Sequence, residues 1–210
     1  MTHRTDVASS EHEVSPEDHV RADFYALISR LFFAGPDADL LAAIAAAGDA
    51  AAAGDEETMP LPGAWRGLVA AAAGADAAAA MQEYDQVFVG TGKAEITPYA
   101  SHYLAESMQE RVLVRLREAL AELGLARSEG APEYEDHFSG LCEVMRHLIM
   151  FGSDNGAVQE QKKFFLAYLA PWYAGFCAAV MASADTDFYK HVARFTKAFL
   201  DVESSSFEMI

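Results

Sequence analysis

The chain has 210 residues, of which 52% are hydrophobic, so it can bury a core in one domain or two small helical lobes and is not disordered. Its 15 basic and 32 acidic residues give a net charge of −17, which repels the phosphates of nucleic acid. The same charge favours a basic partner, although acidity also serves solubility.

The cysteines and the N-terminal segment bear on the cell compartment. Cys142 and Cys177 each lie in an apolar helical pattern, which favours buried thiols over a disulfide. The first 14 residues lack the apolar region of a secretory signal, and no apolar run is long enough to span a membrane. We therefore expect a cytoplasmic protein without stable membrane insertion.

Helical signals begin after residues 1–14, which we expect to form a flexible tail before a helical domain over 15–210. Ser15-Pro16-Glu17-Asp18 supplies an N-cap, a proline at the first helical position and two acids near the positive helix end. This helix is predicted to end at Ala34-Gly35, before a short helix over 38–47. Its predicted buried face comprises Val20, Phe24, Leu27, Ile28 and Leu31.

Further helical segments are separated by gaps rich in glycine and proline. Their approximate predicted ranges are 64–73, 76–88, 103–124 with Ser101 as a cap, 136–151, 158–181 with a break at Pro171, and 186–202. The gaps 48–63 and 152–156 are candidate hinges for a homodimer that exchanges helices. No segment alternates like a strand, so the predicted class is all-α: a single compact, bundle-like domain of about eight to ten helices.

The loop Gly90-Thr91-Gly92-Lys93 resembles part of a phosphate-binding motif. The full motif needs a glycine where the chain has Val87 and a serine or threonine where it has Ala94, and no strand precedes the loop. An ordinary loop is therefore favoured over a nucleotide site.

Metal binding and catalysis find little support in the residue pattern. His137, Cys142 and His147 share a predicted helix, but their offsets do not bring the three side chains together. Asp136 could tune the imidazole of His137, yet adjacent helical residues point about 100° apart. Asp136 as the N-cap of this helix, with His137 in its first turn, explains both residues without chemistry and is favoured, but this pattern alone does not settle the function. We expect no metal, cofactor or catalytic residue.

The segment 132–151, PEYEDHFSGLCEVMRHLIMF, joins an acidic entrance to an apolar helix. The acids Glu133, Glu135 and Asp136 lie just before an apolar face. That face comprises Phe138, Leu141, Met145, Leu148 and Ile149. A negative lip beside an apolar wall is a candidate for catalysis, for metal binding or for binding a partner.

Three sequence landmarks occur in order along the chain. The first is Tyr84-Asp85-Gln86-Val87-Phe88-Val89-Gly90, followed by Pro98, Ser101 and Tyr103; the second is Glu133 with Asp136-His137; the third is Phe165, Leu169, Pro171 and Trp172, then Phe188-Tyr189. Together they resemble the TorD/DmsD/NarJ family of redox-enzyme maturation chaperones over Val20 to Phe199. The family patterns are Tyr-x-x-Leu-Phe-x-Gly, Pro-x-x-Ser-x-Tyr and Glu-Pro-x-Asp-His.

The chain departs from this family pattern at two positions. Tyr134 stands where the family usually has proline, and Tyr168 stands where a histidine often precedes the Leu-x-x-Trp pattern. These departures bear on the subfamily and on the shape of the junction at Asp136.

The resemblance implies a cytoplasmic helical chaperone without turnover. It would bind the twin-arginine signal peptide, or its remnant, of the apo form of a DMSO-reductase-type catalytic subunit, and hold that subunit while its bis-molybdopterin-guanine-dinucleotide cofactor is inserted before export. The expected peptide-binding residues are Tyr84, Phe88, Gly90, Pro98, Ser101, Tyr103, Glu133, Glu135, Asp136, His137, Phe138 and Leu141, with core packing the competing role for Phe138 and Leu141.

Two other functions stay open at this point. One is a GTP-binding or GTP-hydrolysing protein, since guanine nucleotides are associated with the family that the chain resembles. The other is a helical scaffold or regulator of unrelated function. The sequence identifies neither the molybdoenzyme that is served, nor whether it is exported, nor whether the chain is a monomer or a swapped dimer.

Overall fold

The structure, a computed structural model, describes residues 14–48, 60–90, 92–104, 109–127, 133–152 and 156–210. Ten α-helices lie in these ranges: α1 (Pro16–Phe33), α2 (Ala38–Ala46), α3 (Pro60–Gly74), α4 (Ala77–Tyr84), α5 (Ala100–Leu104), α6 (Gln109–Glu122), α7 (Phe138–Phe151), α8 (Ala157–Tyr168), α9 (Tyr173–Ala182) and α10 (Phe188–Glu208). The described residues contain no strand, which confirms the all-α class. Nearly all of the predicted tail and most of the two candidate hinges lie outside the described residues.

The first helix begins as its sequence predicts, but its buried face is rotated from the predicted one. The Ser15 hydroxyl accepts a hydrogen bond from the Asp18 N–H at 3.0 Å, with proline at the first position. Val20 is 52% exposed, whereas Tyr25 and Phe32 are buried beside the correctly predicted Ile28 and Leu31. The prediction for Val20 is wrong because the helix turns its aromatic stripe toward the core.

The centre of the molecule is an aromatic cluster where four elements meet. Phe32 of α1 packs edge-on against Phe88 and Phe138, with ring centroids 5.6 and 5.2 Å apart. Phe176 of α9 packs against the same ring at 5.2 Å. Around this cluster α1 lies along α7, and α10 packs against α3 and α9. Such edge-to-face contacts add to the stabilisation from buried area.

Several helix boundaries differ from the predicted ones. The α3 helix begins four residues early, and the segment predicted over 76–88 ends as α-helix at Tyr84 and continues as one wider π-helical turn, Asp85–Val89. Gly90 follows that turn with φ +65°, where an added Cβ would lie 2.3 Å from the Lys93 carbonyl oxygen. The predicted break at Pro171 is confirmed, because α8 and α9 are separate helices.

The remaining sequence expectations concern thiols and membrane spans. Cys142 and Cys177 are buried and free, as predicted. Among the described residues, no single helix is long and apolar enough to cross a membrane. Of the described helices, only α8 and α9 taken together have the length and composition of a membrane span, and the two helices are bent by 54° relative to each other. Phe164, Phe165 and Phe176 of that pair are buried within the protein.

Candidate functional site

Two distant landmarks of the sequence meet at the entrance of α7. The Phe138 N–H donates to the Pro98 carbonyl at 2.8 Å, and the Ala100 N–H donates to the Asp136 carbonyl at 3.0 Å. Tyr99 and His137 therefore pair as an isolated antiparallel bridge. This backbone pairing places the segment before α5 against the turn that starts α7.

Asp136 and His137 have different structural roles at this junction. The Asp136 side chain is buried and accepts a hydrogen bond from the Ser101 N–H at 2.9 Å, so it caps the first turn of α5. The prediction that Asp136 is the N-cap of α7 is wrong, because the chain turns this carboxylate toward α5. His137 is the N-cap: its Nδ1 accepts from the Ser139 N–H at 3.2 Å and lies 2.7 Å from the Ser139 hydroxyl.

The electrostatics of the junction follow from burial and from nearby carboxylates. Burial lowers the pKa of His137, although the carboxylates of Glu133 and Asp136 act in the opposite direction. The Tyr99 hydroxyl donates to Glu133, and burial together with this carboxylate raises the pKa of Tyr99. These shifts favour the neutral forms of His137 and Tyr99. Neutral His137 can accept a hydrogen bond through Nδ1, and neutral Tyr99 can donate its hydroxyl proton to Glu133.

Beside the junction lies a groove of about 620 Å³ between α1, α7 and the end of α6. Its lining residues are Ser29, Arg30, Phe33, Leu120, Leu125, Ala126, Arg127, Glu133, Tyr134, Glu135, His137, Ser139, Gly140, Glu143, Val144, Arg146, His147 and Phe151. The groove therefore combines an apolar surface with both carboxylates and guanidinium groups.

Three aromatic side chains of the groove are open to water. Phe33 is 46% exposed, Tyr134 58% and Phe151 71%. Single exposed apolar residues are common, but clusters of them mark surfaces that bind a partner. These three come from α1, the 133–137 turn and the end of α7, and they face one groove.

Only part of the predicted site lies in this groove. Glu133, Glu135 and His137 line it. The other predicted residues do not line it: Tyr84, Phe88, Gly90, Pro98, Ser101, Tyr103, Asp136, Phe138 and Leu141. Phe138 and Leu141 have no exposed surface to offer a ligand in this structure, since both face the core.

Several of these residues shape the surroundings of the groove. The Tyr84 hydroxyl donates to the Phe33 carbonyl at 2.8 Å and so fixes the end of α1 that carries one exposed ring. Tyr103 stacks on Trp172, with ring centroids 4.9 Å apart. Tyr84 thus positions a groove residue without lining the groove itself.

Sequence reasoning missed the most exposed members of the groove. A second stripe was present in α7: Gly140, Val144, His147 and Phe151 follow one another at spacings of four, three and four residues. This stripe lies beside the core stripe and includes too few apolar residues to stand out. Phe33 was missed for a similar reason, because the adjacent Phe32 occupies the buried position of α1.

A second cavity, about 780 Å³ in volume, adjoins the loop that contains Gly90 and Lys93. Asp85, Glu95 and Asp185 also line it. Three carboxylates around one lysine disfavour a phosphate group, which agrees with the incomplete phosphate-loop pattern. Within the described ranges, no group of three or more His, Cys, Asp or Glu side chains is arranged to hold a metal ion.

Comparisons with known proteins agree with the fold and with the landmarks. The solved structure of a candidate redox enzyme maturation protein from Archaeoglobus fulgidus matches with a TM-score of 0.55 at 18% identity, covering 94% of this chain and 99% of that one. At this identity the match shows the fold. No curated protein sequence matches the chain.

A family model described as "Nitrate reductase delta subunit" matches residues 55–178, which is more than half of the chain. This range holds the first two landmarks and most of the third, and it confirms the predicted family. The chain therefore belongs to the nitrate reductase delta subunit family, the NarJ/TorD-like chaperones that act in the maturation of redox enzymes and are not catalysts themselves.

Proposed function

We propose that the groove binds the twin-arginine signal peptide, or its remnant, of a molybdopterin oxidoreductase. The chaperone then holds the apo catalytic subunit in the cytoplasm until the cofactor is inserted and export can begin. The observation that supports this most is the convergence of three exposed aromatic rings on one groove whose rim carries carboxylates.

The chemistry of the groove fits the two halves of such a peptide. Phe33, Val144 and Phe151 offer an apolar surface to the hydrophobic part of the peptide, whether helical or extended. Glu133, Glu135 and Glu143 lie on the same lining and offer carboxylates to its basic end. A volume of about 620 Å³ accommodates a short peptide segment rather than a whole domain.

The buried junction would mainly position this surface, although His137 also lines the groove. Asp136 and His137 fix the turn that carries the acidic residues, through bonds to Ser101 and Ser139. We therefore assign peptide contact to the groove lining and a positioning role to the landmark residues behind it.

Isothermal titration tests the proposal with synthetic signal peptides from the DMSO-reductase-type subunits of the native host. We expect one of them to bind with a dissociation constant in the micromolar range or tighter, because the apolar core and the arginines both find partners. A pull-down from the same host identifies the client, and retention of a large molybdoenzyme subunit is expected. Absence of binding to every peptide, including that of the retained subunit, would overturn the proposal.

A further inference from the structure

Two arginines of the chain itself already lie on neighbouring residues of the groove rim. The guanidinium of Arg127 lies over the ring of Tyr134, 5.9 Å from its centroid. Arg117 donates from Nε and one Nη to the two carboxylate oxygens of Glu135, at 2.9 and 3.1 Å. Two adjacent residues, Tyr134 and Glu135, thus each hold a guanidinium group.

These two contacts are the main ways in which proteins select arginine over lysine. A planar guanidinium stacks on an aromatic face and bonds a carboxylate through two parallel N–H groups. An ammonium group has neither the plane nor the fork, so lysine replaces arginine poorly in both contacts. The rim is therefore built for a pair of guanidinium groups rather than for positive charge in general.

The two intramolecular contacts are also easy to exchange. Tyr134 is largely exposed, and the side chain of Arg117 is 51% exposed, although that of its partner Glu135 is 11% exposed. Ion pairs and cation–π contacts at exposed positions contribute little to stability, because water competes for both partners. A ligand arginine can replace Arg127 or Arg117 without opening the core.

We infer that Tyr134 and Glu135 form a twin-guanidinium subsite, which Arg127 and Arg117 occupy in the empty groove and which paired arginines of the bound peptide take over. This inference rests on the proposed function and specifies which residues recognise the arginine pair. Arg127 and Arg117 then compete with the arginines of the peptide. Removing either one should strengthen peptide binding, even though Arg127 itself lines the groove.

Titration of a peptide that binds the wild-type protein, and of the same peptide with both arginines changed to lysine, tests the subsite. We expect the arginine peptide to bind more tightly than the lysine peptide. Tyr134→Leu should weaken the arginine peptide about threefold and leave the lysine peptide unchanged, whereas Tyr134→Phe should retain wild-type affinity for both.

The competing arginines provide the second part of the test. Arg127→Ala should tighten binding of the arginine peptide about threefold, and this gain should disappear in the Tyr134→Leu background. Arg117→Ala should also tighten it. Arg194→Ala, an exposed α10 position that does not line the groove, controls for the change in net charge and should have no such effect.

The outcomes separate this inference from the proposed function. If Tyr134→Leu binds both peptides as the wild type does, or if Arg127→Ala weakens the arginine peptide, the subsite is wrong while peptide binding stands. If the wild-type protein binds none of the peptides, both are overturned. Circular dichroism of each variant checks that its helices are intact.

Discussion

At the residue scale, His137 holds the first turn of α7 through a nitrogen that must stay unprotonated. Its Nδ1 accepts from the Ser139 N–H, and protonation would turn this acceptor into a donor that faces another donor. Burial lowers the pKa of His137 in the folded protein, which favours the accepting form. The capping hydrogen bond and the burial of the ring therefore both favour the neutral form of His137.

The stability of the protein should consequently fall as the pH drops below the ordinary histidine pKa of about 6.5. The unfolded chain then takes up a proton that the folded chain resists, so the contribution of His137 is complete above about pH 7 and is lost on acidification. Asparagine is neutral and caps well, so His137→Asn should reduce the loss between pH 7 and 5.5, by at most about 1 kcal/mol.

Urea unfolding of both proteins at the two pH values measures this difference. His102→Asn, an exposed position on α5, is the matched control and should keep the wild-type pH dependence. An unchanged pH dependence in His137→Asn would show that His137 does not carry the effect.

At the scale of the element, α7 presents two apolar surfaces with different roles. Leu141, Met145 and Leu148 face the core, whereas Val144 and Phe151 face the groove. Substitutions on the first surface remove buried packing. On the second surface Val144 also packs partly against the core, whereas Phe151 is largely exposed and offers mainly a contact surface. Stability and binding should therefore be separable within one helix.

Phe151→Ser should weaken peptide binding about tenfold and leave the melting temperature nearly unchanged, because this ring is largely exposed and loses, besides its contact with the His147 ring, its contacts with the peptide. Titration and thermal unfolding measure the two effects. Leu166→Ser on α8, an exposed apolar position outside the groove, is the control and should change neither. Equal binding by the Phe151 and Leu166 variants would remove Phe151 from the contact surface.

Sequence periodicity predicted the helices well because their stripes are long, as the correctly predicted cap at Ser15 and the break at Pro171 illustrate. It predicted the acidic entrance of α7 but placed Asp136 on the wrong helix, because pairing between residues 98–100 and 136–138 is not local in sequence. The groove depends on where Phe33, Tyr134 and Phe151 come together in space. The spacing of these three residues along the chain does not predict that their side chains line one groove.

At the scale of the whole molecule, a buried carboxylate joins the first helix to the last. Glu203 of α10 is 3% exposed and accepts hydrogen bonds from Arg21 at 2.8 and 2.9 Å and from the Tyr25 hydroxyl at 3.0 Å. Arg21 also bonds Gln161 of α8 at 3.0 Å. These bonds bring three helices together at one charged cluster.

Removing the carboxylate should leave Arg21 with Asp18, 2.7 Å away, as its ion-pair partner and leave the buried Tyr25 hydroxyl without its acceptor. Glu203→Ala is expected to lower the free energy of unfolding by about 2 kcal/mol, since it breaks a buried pair whose arginine keeps one partner. Glu122→Ala removes an exposed carboxylate that pairs with Lys163 at 3.7 Å and should cost less than about 1 kcal/mol. Urea unfolding compares the two variants, and similar losses would contradict the role given to Glu203.

The three exposed rings of the empty groove have a consequence for the protein in solution. Apolar patches that are open to water can bind further copies of the same chain, so the empty groove favours self-association of the chaperone. The net charge of −17 opposes that association, because copies repel one another before their grooves can meet. Salt screens this repulsion over about 10 Å at 0.1 M, so ionic strength weakens the attraction of a basic peptide and the protection of the empty groove together.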